Sequence, residues 1–94
     1  ANYILVTVAR RDMDTMTREQ SGGWSRHLSF NEPEMEFIMA VQRMPEVEWA
    51  VDNSFDGLYI AKQEDYASFK TQFRFAVYMK EDQATFWKLK FNGR

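Results

Sequence analysis

Cysteine is absent from this chain of 94 residues, so it forms no disulfide, no thiolate metal site and no cysteine nucleophile. Histidine occurs once, at His27, which leaves too few of the usual nitrogen and sulfur ligands for zinc. No apolar run approaches the roughly 18 residues of a membrane-spanning helix, and the amino terminus lacks the charged and apolar segments of a secretion signal. These absences predict a soluble cytoplasmic protein that needs no cofactor.

The net charge is small, at -2, but the charges are unevenly distributed along the chain. Residues 32–65 contain nine acidic and two basic side chains, whereas residues 66–94 contain six basic and two acidic ones. Aromatic residues make up 16% of the chain, and each of these rings can bury a large area. The composition therefore predicts a single, densely packed domain over residues 1–94, with an acidic central segment.

The first third of the chain begins with a nearly continuous run of β-branched and apolar residues. This run, NYILVTVAR, predicts a central strand over Tyr3–Arg10. The polar segment that follows leads to Gly22 and Gly23 and has no clear periodicity, so residues 11–22 are predicted to form a long loop. The alternating sequence GWSRHLSF, at residues 23–30, predicts a short edge strand.

The clearest helix signal starts at Asn31. This residue is a favourable amino-terminal cap, Glu34 stands three positions later as in a capping box, and Pro33 suits the first turn. Apolar residues then recur at helical spacing as far as Pro45, which cannot continue the helix. The pattern predicts a helix over Glu32–Met44.

A β-hairpin is predicted for the next segment, EVEWAVDNSFDGLYIAK. Val47, Trp49 and Val51 alternate with polar or small residues, and NSFDG has the composition of a turn. Leu58 and Ile60 continue the alternation in a return strand.

The last third of the chain contains a strand and a helix. FRFAVYMK alternates between large apolar residues and mostly polar ones, which predicts a strand, whereas residues 64–72 fit either a helical turn or the start of that strand. A final helix is predicted over Asp82–Phe91, with Ala84, Trp87 and Phe91 at helical spacing and Phe86 and Leu89 beside them, so that most of its aromatic side chains face the sheet. The alternative is that Trp87 or Phe91 is exposed and contacts a partner. Together these elements predict an α+β fold, in which two helices pack on one face of an antiparallel sheet of four to five strands.

Two resemblances follow from these residues. From the first helix onward, the order of elements resembles a double-stranded-RNA-binding domain, a family in which a lysine-rich signature at the start of the last helix binds phosphates. This chain has KEDQATFWK there, with Glu81 and Asp82 in place of the bases. The resemblance implies the fold of that family without its basic signature.

The ending FRFAVYMKEDQATFWKLKFNG resembles small uncharacterised proteins of tailed bacteriophages. The matching residues are Phe75, Glu81, Asp82, Ala84, Phe86, Lys88, Leu89, Phe91 and Gly93. Trp87 interrupts the pattern, in which the lysine would follow the phenylalanine directly. The resemblance implies a protein that acts in the cytoplasm of an infected bacterium, often on a host enzyme or defence system.

Protein binding is the function that the residues favour. The long loop supplies adaptable apolar side chains, and the segment after it supplies acidic ones that can steer a basic partner. The predicted partner-binding residues are Met13, Met16, Trp24, Glu32, Glu36, Glu48 and Asp52. The sequence therefore predicts a small non-enzymatic, phage-type regulator that modulates or inhibits a bacterial host protein.

Two other functions stay open. Six basic residues predict an RNA or single-stranded nucleic-acid-binding surface if they meet in space: Arg10, Arg11, Arg18, Arg26, Lys88 and Lys90. A third hypothesis is a small metal-independent nuclease in which His27 acts as general acid or base. The predicted edge strand could also join two copies of the chain into a homo-oligomer.

Overall fold

The computed structural model describes residues 2–14, 30–65 and 67–92 of the chain. Its elements, in chain order, are β1 (Tyr3–Asp14), α1 (Glu32–Gln42), α2 (Pro45–Asp52), β2 (Phe55–Asp65), β3 (Lys70–Lys80) and α3 (Glu81–Trp87), and α3 continues into a π-helical turn (Lys88–Asn92).

The three strands of the described residues form one antiparallel sheet in the order β1-β3-β2. β3 lies in the centre, and its alternate residues Phe73, Phe75, Val77 and Met79 have no exposed surface. Buried side chains of all three helices join these residues in one core, so the helices pack on the same face of the sheet. The α+β class and the antiparallel pairing are confirmed, whereas the described part of the chain has three strands and three helices instead of four to five strands and two helices.

β1 is longer than predicted and contains the first residues of the predicted loop 11–22. Arg11 pairs with Phe73 and Met13 with Thr71, because the polar segment still alternates between the core side and the solvent side of the sheet. The rest of that loop and residues 23–29 of the predicted edge strand lie outside the described residues.

α1 begins as the sequence predicts. The Asn31 side chain accepts a hydrogen bond from the Glu34 amide at 2.9 Å, and the Glu34 carboxylate accepts one from the Asn31 amide at 3.0 Å. This capping box pairs two amides that have no partner inside the helix. α1 ends at Gln42, two residues before the predicted end.

The predicted hairpin is wrong in its first half, because Pro45–Asp52 is the helix α2. Pro45 occupies the first turn of this helix, where proline is tolerated, although the sequence pattern suggested only the end of α1. In a segment of eight residues, apolar positions can fit both the strand and the helix period. The helical period prevails because it buries Val47 and Ala50 completely.

The NSFDG segment does not form a hairpin turn. Its first two residues connect α2 to β2, and its last three already belong to β2. Asp56 and Gly57 have positive φ angles of 73° and 83°, at a bulge where the pairing of β2 with β3 shifts register. The hairpin lies one strand later, between Asp65 and Lys70, and Asp65 accepts a hydrogen bond from the Ala67 amide at 3.0 Å. Within the undecided segment 64–72, residues 64–65 end β2, residues 67–69 form a turn and residues 70–72 begin β3.

The carboxy-terminal helix covers the core, but only in part. Ala84 and Trp87 are buried, and the Trp87 indole donates a hydrogen bond to the Glu46 carbonyl at 2.8 Å. Phe86 and Leu89 remain 52% and 73% exposed. Trp87 therefore fastens α3 to α2, whereas Phe86 lies at the surface against Trp49, with the ring centroids 5.4 Å apart.

Candidate functional site

The described helices leave one face of the sheet open, and this face carries large apolar side chains at one end. Tyr3, Leu5 and Phe55 are 43%, 51% and 58% exposed. Leu5 and Phe55 both pair with Tyr78, from opposite sides of β3, and the Tyr3 and Phe55 rings lie 5.1 Å apart. These four residues, Tyr3, Leu5, Phe55 and Tyr78, are called the open-face patch.

A shallow hollow adjoins this patch. Its walls include Tyr59 and Tyr78, whose rings meet edge to face with centroids 5.5 Å apart, and its floor includes the buried side chains Ala61 and Ala76. The hollow holds a volume of about 50 Å³ and opens to solvent. Leu5, Tyr59, Ile60, Ala61, Arg74, Ala76 and Tyr78 line it, and it is called the tyrosine hollow.

Two arginines of neighbouring strands lie beside the tyrosine hollow. Arg10 and Arg74 are directly opposite each other in the β1–β3 register, and both belong to the open face. The next pair on this face is Asp12 with Gln72, whose amide donates to the Asp12 carboxylate at 3.3 Å. These two residues, Arg10 and Arg74, are called the arginine pair.

The acidic residues predicted to bind a partner lie on the other side of the molecule. Glu32, Glu36, Glu48 and Asp52 are all exposed on α1 and α2, where Met35 and Met39 are exposed as well. Glu34, which lies between Glu32 and Glu36 in the sequence, is buried. It forms an ion pair with Lys62 instead.

This ion pair belongs to a buried polar cluster between α1 and the sheet. The Lys62 ammonium lies 3.1 Å from the nearer Glu34 oxygen and 5.6 Å above the centroid of the Phe30 ring. Glu64 and Thr71 follow on the same face of the sheet, paired with each other in the β2–β3 register.

Burial raises the pKa of Glu64 above its ordinary value; the nearby Lys62 charge opposes this rise and the Glu34 charge adds to it. One carboxylate oxygen of Glu64 and the Thr71 hydroxyl have no hydrogen-bond partner within the described structure. The Glu34–Lys62 ion pair links α1 to β2, so we assign the cluster to the stability of the fold.

The apolar set that was predicted for partner binding is divided by the fold. Met13 is half-buried in β1 and packs against the core. Met16 and Trp24 lie outside the described residues, as do Arg18, Arg26 and His27. Among the described residues, exposed apolar side chains are instead clustered in the open-face patch.

The basic residues that are described meet in part. Arg10, Arg11 and Phe91 line one groove along the outer edge of β1, together with Glu46 and Trp87. The Lys90 ammonium lies 5.5 Å above the centroid of the Phe91 ring, and Lys88 is exposed on the same turn. The fold therefore brings residues 10–11 of β1 close to the π-helical turn and its Phe91 ring, as the nucleic-acid hypothesis requires.

Sequence reasoning missed the open-face patch because the nearly continuous apolar run NYILVTVAR is typical of a central strand that is covered on both faces. The prediction of a central strand is wrong, since β1 is an outer strand of the described sheet and its Leu5 is exposed. The signal was present in the other strands. Tyr78 alternates with Val77 and Met79, so a strand with one buried face puts its ring on the opposite side.

Within the described residues no helix is long and apolar enough to cross a membrane. These residues also bring together no group of three or more acidic or histidine side chains that could hold a metal ion. Comparison of the chain with protein-family models, curated proteins and solved structures finds no match. The resemblances to phage proteins and to double-stranded-RNA-binding domains thus stay predictions.

Proposed function

We propose that this protein is a non-enzymatic protein-binding domain that engages its partner through the open face of the sheet. The observation that carries the proposal is the open-face patch. Its members contribute little to the core, yet Leu5 and Phe55 each leave more than half of their surface in water. Clustered aromatic and aliphatic side chains of this kind are typical of the centre of a protein interface.

The distribution of charge supports a protein partner. The acidic residues Glu32, Glu36 and Glu48 lie on the helical side of the molecule, away from the patch. These carboxylates attract a basic region of a partner to the helical side, while the apolar patch on the opposite side supplies the affinity. The resemblance of the carboxy-terminal segment to phage proteins adds the context of a regulator or inhibitor of a bacterial host protein.

A capture experiment with matched variants tests the proposal. The tagged protein, Leu5→Glu and the control Met39→Ser are each incubated with nuclease-treated bacterial lysate, and captured proteins are quantified by mass spectrometry. Met39 is exposed to a similar extent, 46% against 51% for Leu5, but it lies on α1. We expect a stoichiometric protein that Leu5→Glu loses and Met39→Ser retains, with the same thermal midpoint for all three.

Capture that Leu5→Glu leaves unchanged would refute a role for the open face. Loss of capture in Met39→Ser alone would move the binding site to the acidic helical side.

A second candidate function, single-stranded nucleic-acid binding, is favoured by the groove along β1. Arg11 and Phe91 line this groove, and Lys90 lies over the Phe91 ring. Cationic side chains beside an aromatic ring can bind phosphates while a base stacks. The acidic sequence pI of about 5.4 opposes tight binding of this kind.

Salt dependence distinguishes this candidate. If the groove binds nucleic acid, the affinity for a thymidine 20-mer falls as the salt concentration rises. The double change Arg11→Gln with Lys90→Gln should make the negative slope of log K against log salt less steep by about 1.4, or roughly 0.7 for each lost phosphate contact. A slope near zero for the unchanged protein would eliminate the candidate.

A further inference from the structure

The outer edge of β1 is a second surface for a partner, apart from the open-face patch. We propose that an extended peptide segment of a partner protein pairs with this edge as a fourth strand of the described sheet, and that apolar and acidic side chains alternate along the peptide. The apolar side chains enter the groove along β1, and an acidic one lies beside Arg10. This inference goes beyond the proposed function and does not depend on it.

The backbone of β1 at Arg10 points away from the rest of the sheet. The Arg10 carbonyl accepts a hydrogen bond from the Arg11 guanidinium at 2.7 Å, at an exposed position on an outer strand of the described sheet. In an antiparallel ladder the N–H and C=O of one residue point the same way, and successive residues alternate. Arg10 and Asp12 therefore direct these groups outward, where an added strand can pair with them.

A groove beside this edge can receive side chains of the added strand. It has a volume of about 460 Å³ and opens to solvent. Five consecutive residues of β1, residues 7–11, line it, so the groove follows the backbone of the strand. Glu46, Trp87 and Phe91 form the opposite wall. The volume lies within the range of about 300 to 1,000 Å³ that is usual for ligand pockets.

The walls of the groove are held in place before a partner arrives. The Trp87 indole donates to the Glu46 carbonyl at 2.8 Å, and the Trp87 and Phe91 rings pack with their centroids 6.1 Å apart. On the side of β1, the Arg11 guanidinium donates to the Met44 sulfur at 3.5 Å. A groove that is already formed needs little ordering when it binds.

The register of β1 determines which side chains the peptide needs. Ala9 pairs with the buried Phe75 and belongs to the core side of the sheet, whereas Arg10 pairs with Arg74 on the open face. Residues that are opposite each other in a sheet point to the same face. The peptide residue opposite Ala9 therefore points toward the groove and Phe91, where an apolar side chain is removed from water. The residue opposite Arg10 lies beside the Arg10 side chain.

The charges favour an acidic residue opposite Arg10. Arg10 is exposed, and within the described residues its guanidinium has no hydrogen-bond or ion-pair partner. Arg10 and Arg11 line the groove together with a single acidic residue, Glu46, and the Lys90 ammonium lies 5.5 Å from the centroid of the Phe91 ring. Opposite charges that face each other across two strands stabilise the pairing.

The same features disfavour pairing with a second copy of the chain. The register of β1 with β3 shifts between Thr7 and Ala9, so β1 bends at this bulge. Bulges and charged side chains at an edge oppose pairing with another edge of the same kind. A second copy that paired at the groove would also bring Arg10 and Arg11 toward the same cations of its partner, and like charges opposite each other are destabilising.

Three synthetic peptides test the inference: Ser-Thr-Val-Glu-Val-Thr-Ser, the uncharged Ser-Thr-Val-Gln-Val-Thr-Ser, and Ser-Thr-Ser-Glu-Ser-Thr-Ser. Each is titrated into the full chain, and binding is followed by the amide signals of Ala9 and Arg11 in nuclear magnetic resonance spectra. We expect the first peptide to bind about threefold more tightly than the second, which lacks the charge pair. It should bind at least about tenfold more tightly than the third, which lacks the apolar side chains.

Hydrogen exchange tests the strand pairing itself. In the free protein the amides of Arg10 and Asp12 point away from β3 and should exchange quickly. When the first peptide is close to saturating, these two amides should exchange at least about tenfold more slowly, because they donate to the added strand. Binding that leaves their exchange unchanged would contradict the pairing and overturn the inference.

Matched variants make the test specific for Arg10. Arg10→Gln should abolish the difference between the charged and uncharged valine peptides, whereas Lys88→Gln, a change of another exposed charge, should preserve it. Arg10 is exposed, so its replacement preserves the fold, and the unchanged remainder of the spectrum verifies this. Leu5→Glu should leave peptide binding unchanged, so failure of this inference and failure of the proposed function are separate results.

Equal affinities for the three peptides, or no binding at millimolar concentration, would overturn the inference. A thymidine 20-mer that shifts the Ala9 and Arg11 signals at lower concentration than the first peptide would assign the groove to nucleic acid instead. Sedimentation that reveals self-association of the free protein, together with slow exchange at Arg10 and Asp12, would assign the edge to a second copy and overturn the inference as well.

Discussion

Glu64 is a buried carboxyl group whose protonation is coupled to folding. Burial in the cluster of Glu34 and Lys62 raises its pKa, so the folded state holds the proton more tightly than the unfolded chain does. The unfolding free energy therefore decreases as pH rises from the unfolded pKa, near 4.5, through the higher folded pKa, and the full penalty persists above it.

Glu64→Gln should remove this penalty, because glutamine has the same shape and no charge. Urea unfolding midpoints measured from pH 4 to pH 8 should coincide for the two proteins at the acidic end and diverge upward for the variant as pH rises. Glu48→Gln, a change at an exposed position, serves as the control. Parallel profiles for Glu64→Gln and the unchanged protein would contradict the coupling.

The ion pair between Glu34 and Lys62 gives a second prediction. Both side chains are almost completely buried, with 5% and 6% of their surface exposed. Lys62→Met alone leaves an unpaired buried carboxylate and should lower the unfolding free energy by about 3 to 5 kcal/mol. Adding Glu34→Gln removes that charge and keeps the capping box, since glutamine also suits this position.

The double variant should therefore regain more than half of the stability that Lys62→Met loses. Denaturant unfolding of both single variants and the double variant measures the coupling directly. Simple addition of the two single effects would mean that the pair contributes no more than its separate side chains.

Trp87 is the residue through which α3 contributes most to the stability of the fold. Its ring is buried in the core, and its indole donates to the Glu46 carbonyl. Trp87→Ala should lower the unfolding free energy by about 3 to 5 kcal/mol. Phe86→Ala, one position earlier, should cost only about 1 kcal/mol, because that ring is half exposed and loses mainly its contact with Trp49.

Calorimetry measures the unfolding free energies of the two variants. A larger loss for Trp87→Ala than for Phe86→Ala would show that Trp87 lies on the buried side of α3 and Phe86 on its surface side. Equal losses would indicate that Phe86 is also part of the core.

The elements differ in how far the sequence predicts them. α1 was predicted at its first residue, because the capping box at Asn31 and Glu34 is a local interaction that sequence spacing encodes. The sequence did not predict α2, because a segment of eight residues can fit both the strand period and the helix period. Only the burial of Val47 in the core decides between the two. The length of β1 was underestimated for the same reason, since its polar end is ordered by pairing with β3.

The candidate site depends still more on tertiary structure. The sequence predicted acidic residues at Glu32 and Glu36 that are indeed exposed, and it predicted helices on one face of the sheet, but it could not reveal which strand residues lie together on the other face. The one-sided packing of the helices exposes Leu5, and the strand register places Arg10 opposite Arg74. Residues of three separate strands become one surface only through the register of the sheet.

At the scale of the whole molecule, two layers differ in chemistry. The helical layer is acidic at its surface, with Glu32, Glu36 and Glu48, whereas the open face combines apolar rings with the arginine pair. A layer of helices on one side of the described three-stranded sheet buries a single core and leaves the second face without a covering helix. The same topology leaves β1 and β2 as the outer strands of the described sheet.

Hydrogen exchange can test this architecture over the whole chain. β3 is hydrogen-bonded on both sides, so its amides should exchange only through global unfolding, and a stability of about 5 kcal/mol or more slows them by more than a thousandfold. Alternate amides of β1 and β2 point away from β3 and should exchange quickly, in a two-residue pattern. Slow exchange at every residue of β1 would mean that a further strand pairs with this edge. If the alternating pattern returns when the protein is diluted, the further strand belongs to a second copy of the chain. That result would show that two copies associate through an edge strand and that the outer edge of β1 is not free at higher concentration.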